Sequence, residues 1–398
     1  MKSQTTLPSM ILGALLLASN PAAADPFTCP AGGIQWTGNA GDGQWSNASN
    51  WSSHKVPGAT SDVCIPTFGQ ADATPPISIH SLTVTEGGTL IILGKAGASF
   101  SVATSLTLPG FIEIYNGTNL SAGSIDMPNP GQISVYGNST LTSPAFSNTT
   151  GTLYVGVGGT LRLTDNPVQL QNGNLSGGNW NIDDTGVLII PSDISQITTQ
   201  PGAAYWTVLD VQAGGTLQDT SGNNPLATLT SVGSDTVLSI PSLTLNHDLT
   251  SQGHLDVGSL TVGGAYTLAS GASDGVSSFL SATSVIVESG ATLATAGTAM
   301  SSITNNGTVS AGIVTVTGNY TQAAGATLSE SFGNATLNVK QNATVSGALN
   351  VTFSPKHPPQ SGAKYTALTF GSLNGSFTSH TAGFTLTTGV NSIQVTKQ

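Results

Sequence analysis

Gly253–Ala272 reads GHLDVGSLTVGGAYTLASGA and Gly307–Ala326 reads GTVSAGIVTVTGNYTQAAGA, a match at 10 of 20 positions at an offset of 54. Apolar and small polar residues alternate within such segments, as in Leu82-Thr83-Val84-Thr85 and Val314-Thr315-Val316-Thr317. Period-two alternation makes a strand with one dry and one wet face. Gly-Gly and Ser-Gly pairs then supply the positive-φ corner that turns it. A unit this short cannot bury its own apolar face, so the pattern predicts stacked copies sharing an axial core.

Working outward, V-x-x-G-[GA]-T-L occurs at Val84–Leu90, Val155–Leu161, Val211–Leu217 and Val287–Leu293, with a weaker copy at Gln322–Leu328. The starts are 71, 56, 76 and 35 residues apart. They fit four, three, four and two units of roughly 18–19 residues, and 54 fits three. SLTV or SLTL strings begin at Ser81, Ser105, Ser242 and Ser259 and mark further rungs. The expected fold is all-β: a single-stranded parallel β-helix, right-handed being the commoner hand. Residues 77–353 would form about 15 rungs and a rod of about 70 Å at 4.8 Å per rung. A β-sandwich array would show turn signals without this long register.

Of 398 residues only 7% are charged, 49 are Gly, and the net charge is −11. Eight basic residues are too few for a phosphate-binding surface, so no nucleic-acid partner is expected. Helical bundles need charged wet faces, and disorder needs high charge, so both are excluded. In a stacked solenoid a charge repeated on every rung makes a like-charge column, whereas Ser, Thr and Asn form hydrogen-bonded ladders.

Residues 1–24 read as a signal peptide. Lys2 precedes an apolar run from Met10 to Ala18, and Ala22-Ala23-Ala24 offers a cleavage site. The run is too short to span a bilayer, and no integral membrane protein is expected. In an exported chain the two cysteines, Cys29 and Cys64, suggest a disulfide.

Residues 25–76 hold Trp36, Trp45 and Trp51. They suit either a cap over the open first rung or an aromatic platform for glycans. The string from Ile34-Gln35-Trp36 through Gln44-Trp45-Ser46 and Asn50-Trp51 to Asp62-Val63-Cys64-Ile65 resembles the start of secreted bacterial β-helix proteins, autotransporter passengers among them. Gly318-Asn319-Tyr320-Thr321-Gln322, Val345-Ser346-Gly347-Ala348-Leu349 and Gly375-Ser376-Phe377 resemble later passenger segments. The resemblance is to the passenger, since no translocator barrel is read in these residues. It implies an exported, adhesin-like or surface-structural solenoid whose partners are cell-surface or matrix glycans or proteins. A loop at Pro355–Pro359 and a C-terminal β cap over 354–398 are expected to close the stack.

The catalytic inventory is thin. No CxxC, HExxH or calcium-loop pattern occurs, so no metal or cofactor is expected. Gly271-Ala272-Ser273-Asp274-Gly275 matches G-x-S-x-G, but a nucleophile elbow needs a helix after it. The enzymatic alternative, a polysaccharide lyase or hydrolase, needs clustered carboxylates with a base. Its candidates are Asp183-Asp184, His247-Asp248, His254, Asp256 and Arg162, the last expected to pair with Asp165. T-x-T strings such as Thr83/Thr85, Thr315/Thr317 and Thr385/Thr387 are the ordinary wet face of a solenoid, though a flat Thr face also suits ice or crystalline glycan.

Overall fold

The structure is a computed structural model and describes residues 28–398 apart from 129, 201–204, 333–335 and 354–357. The expected signal peptide and the Pro355–His357 part of the expected loop lie outside the described residues. The chain winds into a parallel β-solenoid of about 14 turns. Each turn lays one strand on each of three faces.

Ser99–Thr107 shows the construction. Residues 99–102 lie on face 1, a register shift between Val102 and Ser105 marks the corner, and 105–107 lie on face 2. Phe111–Tyr115 follows on face 3. One turn on, Asn119–Asp126 and Gln132–Val135 repeat the path in register. From Thr236 onward the long strands bend instead from face 3 to the next face 1, as Thr236–Leu245, His254–Val262 and Ser273–Ser281 do. The inward residues form continuous columns. Leu90, Ile112, Ile133, Leu153, Trp180 and Leu209 stack on face 3, all buried. At roughly 1.5–3 kcal/mol for each fully buried aliphatic or aromatic side chain, these columns hold the rod together.

The rungs are not uniform. Leu293 to Val309 is 16 residues, Leu238 to Leu255 is 17 and Trp180 to Leu209 is 29. The offset of 54 does span three turns, from Leu255 through Asp274 and Leu293 to Val309. The V-x-x-G-[GA]-T-L copies, however, occupy two different corners. Val84 and Val287 end face 2 strands, whereas Val155 and Val211 end face 3 strands. The spacing of 56 between Val155 and Val211 is therefore two long turns through Ile182, not three short ones. The string encodes a strand–turn–strand corner, and more than one corner of a triangular section accepts it.

Parallel pairing reaches beyond residues 77–353 at both ends. Ile34–Gln35 pairs with Asp62–Ile65, which pairs with Ser81–Val84. At the other end Lys364–Thr369, Ser372–Gly375 and Ser379–His380 continue the three faces, until Phe384–Thr388 and Ser392–Lys397 pair antiparallel across the stack.

Val157 and Glu330 depart from the pattern of their neighbours. The corner after face 3 repeats a positive φ at Asn116 (62°), Asn138 (60°), Val157 (39°) and Asp184 (49°). Asn and Asp tolerate this region, but a β-branched side chain does not. Glu330 points inward between Ala311 and Val351, fully buried, and neither of its oxygens has a hydrogen-bond partner. Burial pushes its carboxyl up to about 9, and the Leu337 amide, near it but outside hydrogen-bonding geometry, offsets this only in part.

Val157→Asn should therefore stabilise the protein by about 1 kcal/mol, read as a raised midpoint in denaturant melts. A carboxyl raised in the folded state costs stability above its unfolded pKa, and the cost grows until the folded pKa is reached. Glu330→Gln should accordingly stabilise by up to roughly 3 kcal/mol at pH 7, the gain fading as pH falls toward the ordinary Glu value. Equal effects at pH 7 and pH 4.5 would contradict that origin.

Candidate functional site

The three N-terminal tryptophans are buried. Trp36 and Trp45 pack edge-on against Trp51 with centroids 4.9 and 4.6 Å apart, and Trp45 meets Phe100 of the first face 1 column at 5.5 Å. Trp51 Nε1 donates to the Trp45 carbonyl at 2.8 Å. Their rings pack largely on one another and on the end of the core, and Trp36 also borders a cavity beside Phe68. A disulfide joins Cys29 to Cys64, Cα to Cα 5.6 Å, and ties the first described residues to the strand Asp62–Ile65.

The candidate acids are scattered. Asp183 accepts hydrogen bonds from the Tyr154 hydroxyl and the Asp184 amide, so the pair shapes a turn. That Tyr154 contact holds the phenol at about 12, the carboxylate next to it disfavouring phenolate. Arg162 stands outward on face 1 between Thr142 and Ile189 and makes no ion pair with Asp165. His247 bonds the carbonyls of Asp248 and Ala227, and Asp248 accepts the Ala265 amide at 2.7 Å. Both sit at the corner between faces 1 and 2, whereas His254 and Asp256 point outward on face 3. Among the described residues no three His, Cys, Asp or Glu side chains gather as a metal site would require. The only helix among them is the single 3-10 turn Ala48–Asn50, so the G-x-S-x-G at 271–275 opens a strand, with Asp274 turned into the core.

Of these residues, His254, Gly271 and Ser273 meet Trp206 in a groove. The turn from Trp180 to Leu209 is long, at 29 residues, and the chain rejoins face 3 at Thr207. Buried Thr207 anchors that re-entry, its Oγ1 accepting from the Gly177 amide at 2.6 Å and donating to the Thr198 carbonyl at 2.7 Å. Trp206 is left 55% exposed. It overlooks a cavity of about 1080 Å³ that runs through Ser234-Asp235-Thr236, Gln252-Gly253-His254 and Ser270 to Ser273. The lining is an indole face with hydroxyl, amide, imidazole and carboxylate groups. His254 Nδ1 donates to the Ser273 carbonyl, which leaves Nε2 as the ring's open nitrogen.

Asp274 lies directly behind this lining. It takes the column position between Leu255 and Leu293 and is 2% exposed. Tyr266 OH donates to it at 2.5 Å, Ser251 Oγ and the Leu255 amide at 2.9 Å each. Burial pushes the carboxyl up to about 6 against these donors and nearby His254. Alternation places Asp274 on the inward side beside outward Ser273, a distinction that the composition of the segment conceals.

No family model, curated protein or solved structure matches this chain.

A folded-state pKa of about 6 for Asp274 means its charge costs stability increasingly as pH rises from the ordinary Asp value to 6, and constantly above it. Stability should rise by up to about 3 kcal/mol from this group on acidification from pH 7 to 4. Asp274→Asn should flatten that segment of the pH profile, measured by urea melts, while retaining the packing.

Proposed function

We propose that this chain is an exported, non-enzymatic β-solenoid that binds glycans through the Trp206 groove, in an adhesin-like or surface-structural role. The observation that carries it is Trp206. It is the one exposed tryptophan of the five, and it faces a groove lined by groups that hydrogen-bond sugar hydroxyls. Export is supported by the disulfide, which suits an oxidising compartment, and by the leader-like start of the sequence. No helix among the described residues is long and apolar enough to cross a membrane. The resemblance to autotransporter passengers points the same way. The scatter of acids and the distance of Arg162 from them weigh against a lyase or hydrolase.

One observation favours an enzyme. Asp210 and Asp256 point outward in one face 3 column with Ser239 between them. Two rungs put them about 9.6 Å apart, near the separation of an inverting carboxylate pair.

The purified protein should bind members of a glycan array, and Trp206→Ala should weaken that binding by tenfold or more, about the value of a central aromatic contact. Binding unchanged by Trp206→Ala would place the glycan elsewhere. Release of reducing sugar by wild type but not by Asp256→Ala would replace this reading with the enzymatic one.

A further inference from the structure

Four aromatic side chains among the described residues are exposed: Phe68, Phe111, Tyr205 and Trp206. They come from stretches far apart in sequence, yet all four sit along one corner, where face 2 passes to face 3. Phe68 lies in the turn between Asp62–Ile65 and Gln70–Ala73. Phe111 begins its face 3 strand two rungs on, in register with Thr89 and Gln132. Tyr205 and Trp206 precede Thr207–Val211, and Val208 falls in the same outward column through Thr152 and Asn179.

Phe68 is 93% exposed at φ 62°, a conformation that a Phe occupies only at a cost. It borders a cavity of about 450 Å³ with Thr37, Gly41, Gly43 and Gln70. Between Phe68 and Trp206 the corner carries small or turn-forming residues, Gly87, Pro109, Gly110, Gly131, Thr150 and Gly177. Among the described residues between the face 2 and face 3 strands on this path, Glu86 is the one charged side chain. Six rungs separate Gln70 from Val208, about 29 Å at 4.8 Å per rung. The Trp206 groove continues the line for three more rungs, to Ser273.

We infer that this edge is a continuous track for an extended, uncharged polysaccharide lying parallel to the solenoid axis, with Trp206 and Phe68 as separated stacking points. The inference rests on the glycan-binding reading and names the ligand class. The rung spacing is comparable to the length of one extended sugar residue, so a linear chain keeps step with the corner and meets equivalent positions on successive turns. The ligand is uncharged because no Lys or Arg lines either groove, while Asp235 in one groove and Glu86 along the track would repel uronates and sulfates. Stacking at separated points makes the second contact intramolecular once the first has formed, so affinity depends on chain length.

The test is calorimetric titration of the full chain with linear cellulose, xylan and mannan fragments, graded from disaccharide to dodecasaccharide. For the fragment type that binds, affinity should climb with length and level only once the fragment spans both aromatics. Phe68→Ala, at a side chain with no packing to lose, should weaken the longest fragment by about tenfold or more and leave the shortest unchanged. Trp206→Ala should weaken every length. Hyaluronan and polygalacturonate fragments should not bind. Affinity independent of length, or long-fragment binding unchanged by Phe68→Ala, overturns the track while leaving the Trp206 groove intact. Preference for the acidic fragments overturns the ligand class, and no binding by any fragment removes both the track and the glycan reading.

Discussion

Everything in this molecule depends on the axial backbone ladder. Parallel pairing sets each rung about 4.8 Å from the next, so every side chain lies beside its own counterpart. Inward positions become continuous columns of Leu, Ile and Val. Outward positions become ladders in which Ser, Thr and Asn are tolerated and repeated charge is not. The low charge of the chain is therefore a consequence of its architecture. The same repeat explains why the ends are heavy in aromatics. Trp36, Trp45 and Trp51 pack together and on Phe100 near the first rungs, and Phe353, Tyr365 and Phe384 pack together with centroids 5.0 and 5.4 Å apart near the last.

Exceptions to the ladder stand out because the ladder is strict. Glu330 and Asp274 occupy core columns that neighbouring turns fill mainly with aliphatic side chains, and burial raises the pKa of each. Asp274 is compensated by three donors. Glu330 finds no hydrogen-bond partner for its oxygens. The long turn between Trp180 and Leu209 is an exception of another kind. It takes 29 residues where Leu293 to Val309 takes 16, and Trp206 is exposed just before the chain returns to face 3. Function is drawn to such places, because a regular rung offers only a flat polar surface.

Much of this was legible in the chain. Alternation at Leu82-Thr83-Val84 and the paired segments at 253 and 307 sufficed for strands, corners and stacking, because both are local properties repeated in sequence. The turn length was less legible. Glycine-rich corners look alike whichever faces they join, so Val84 and Val155 read as equivalent although they close different strands. The candidate site was barely legible. Trp36, Trp45 and Trp51 drew attention by clustering in sequence, whereas Trp206, solitary there, is the exposed one.

The sequence by itself determined the fold class, the shared core and the near absence of charge, because period-two alternation and positive-φ corners act over a few residues. Only the tertiary structure decided which aromatic faces the solvent and which acid faces the core. It also decided that Phe68, Phe111, Tyr205 and Trp206 share one edge. Those outcomes depend on how many residues each turn takes to close. Turns of 16 to 29 residues all return to the same columns, so which residues face inward and which stay in a corner is settled only when neighbouring turns lock together.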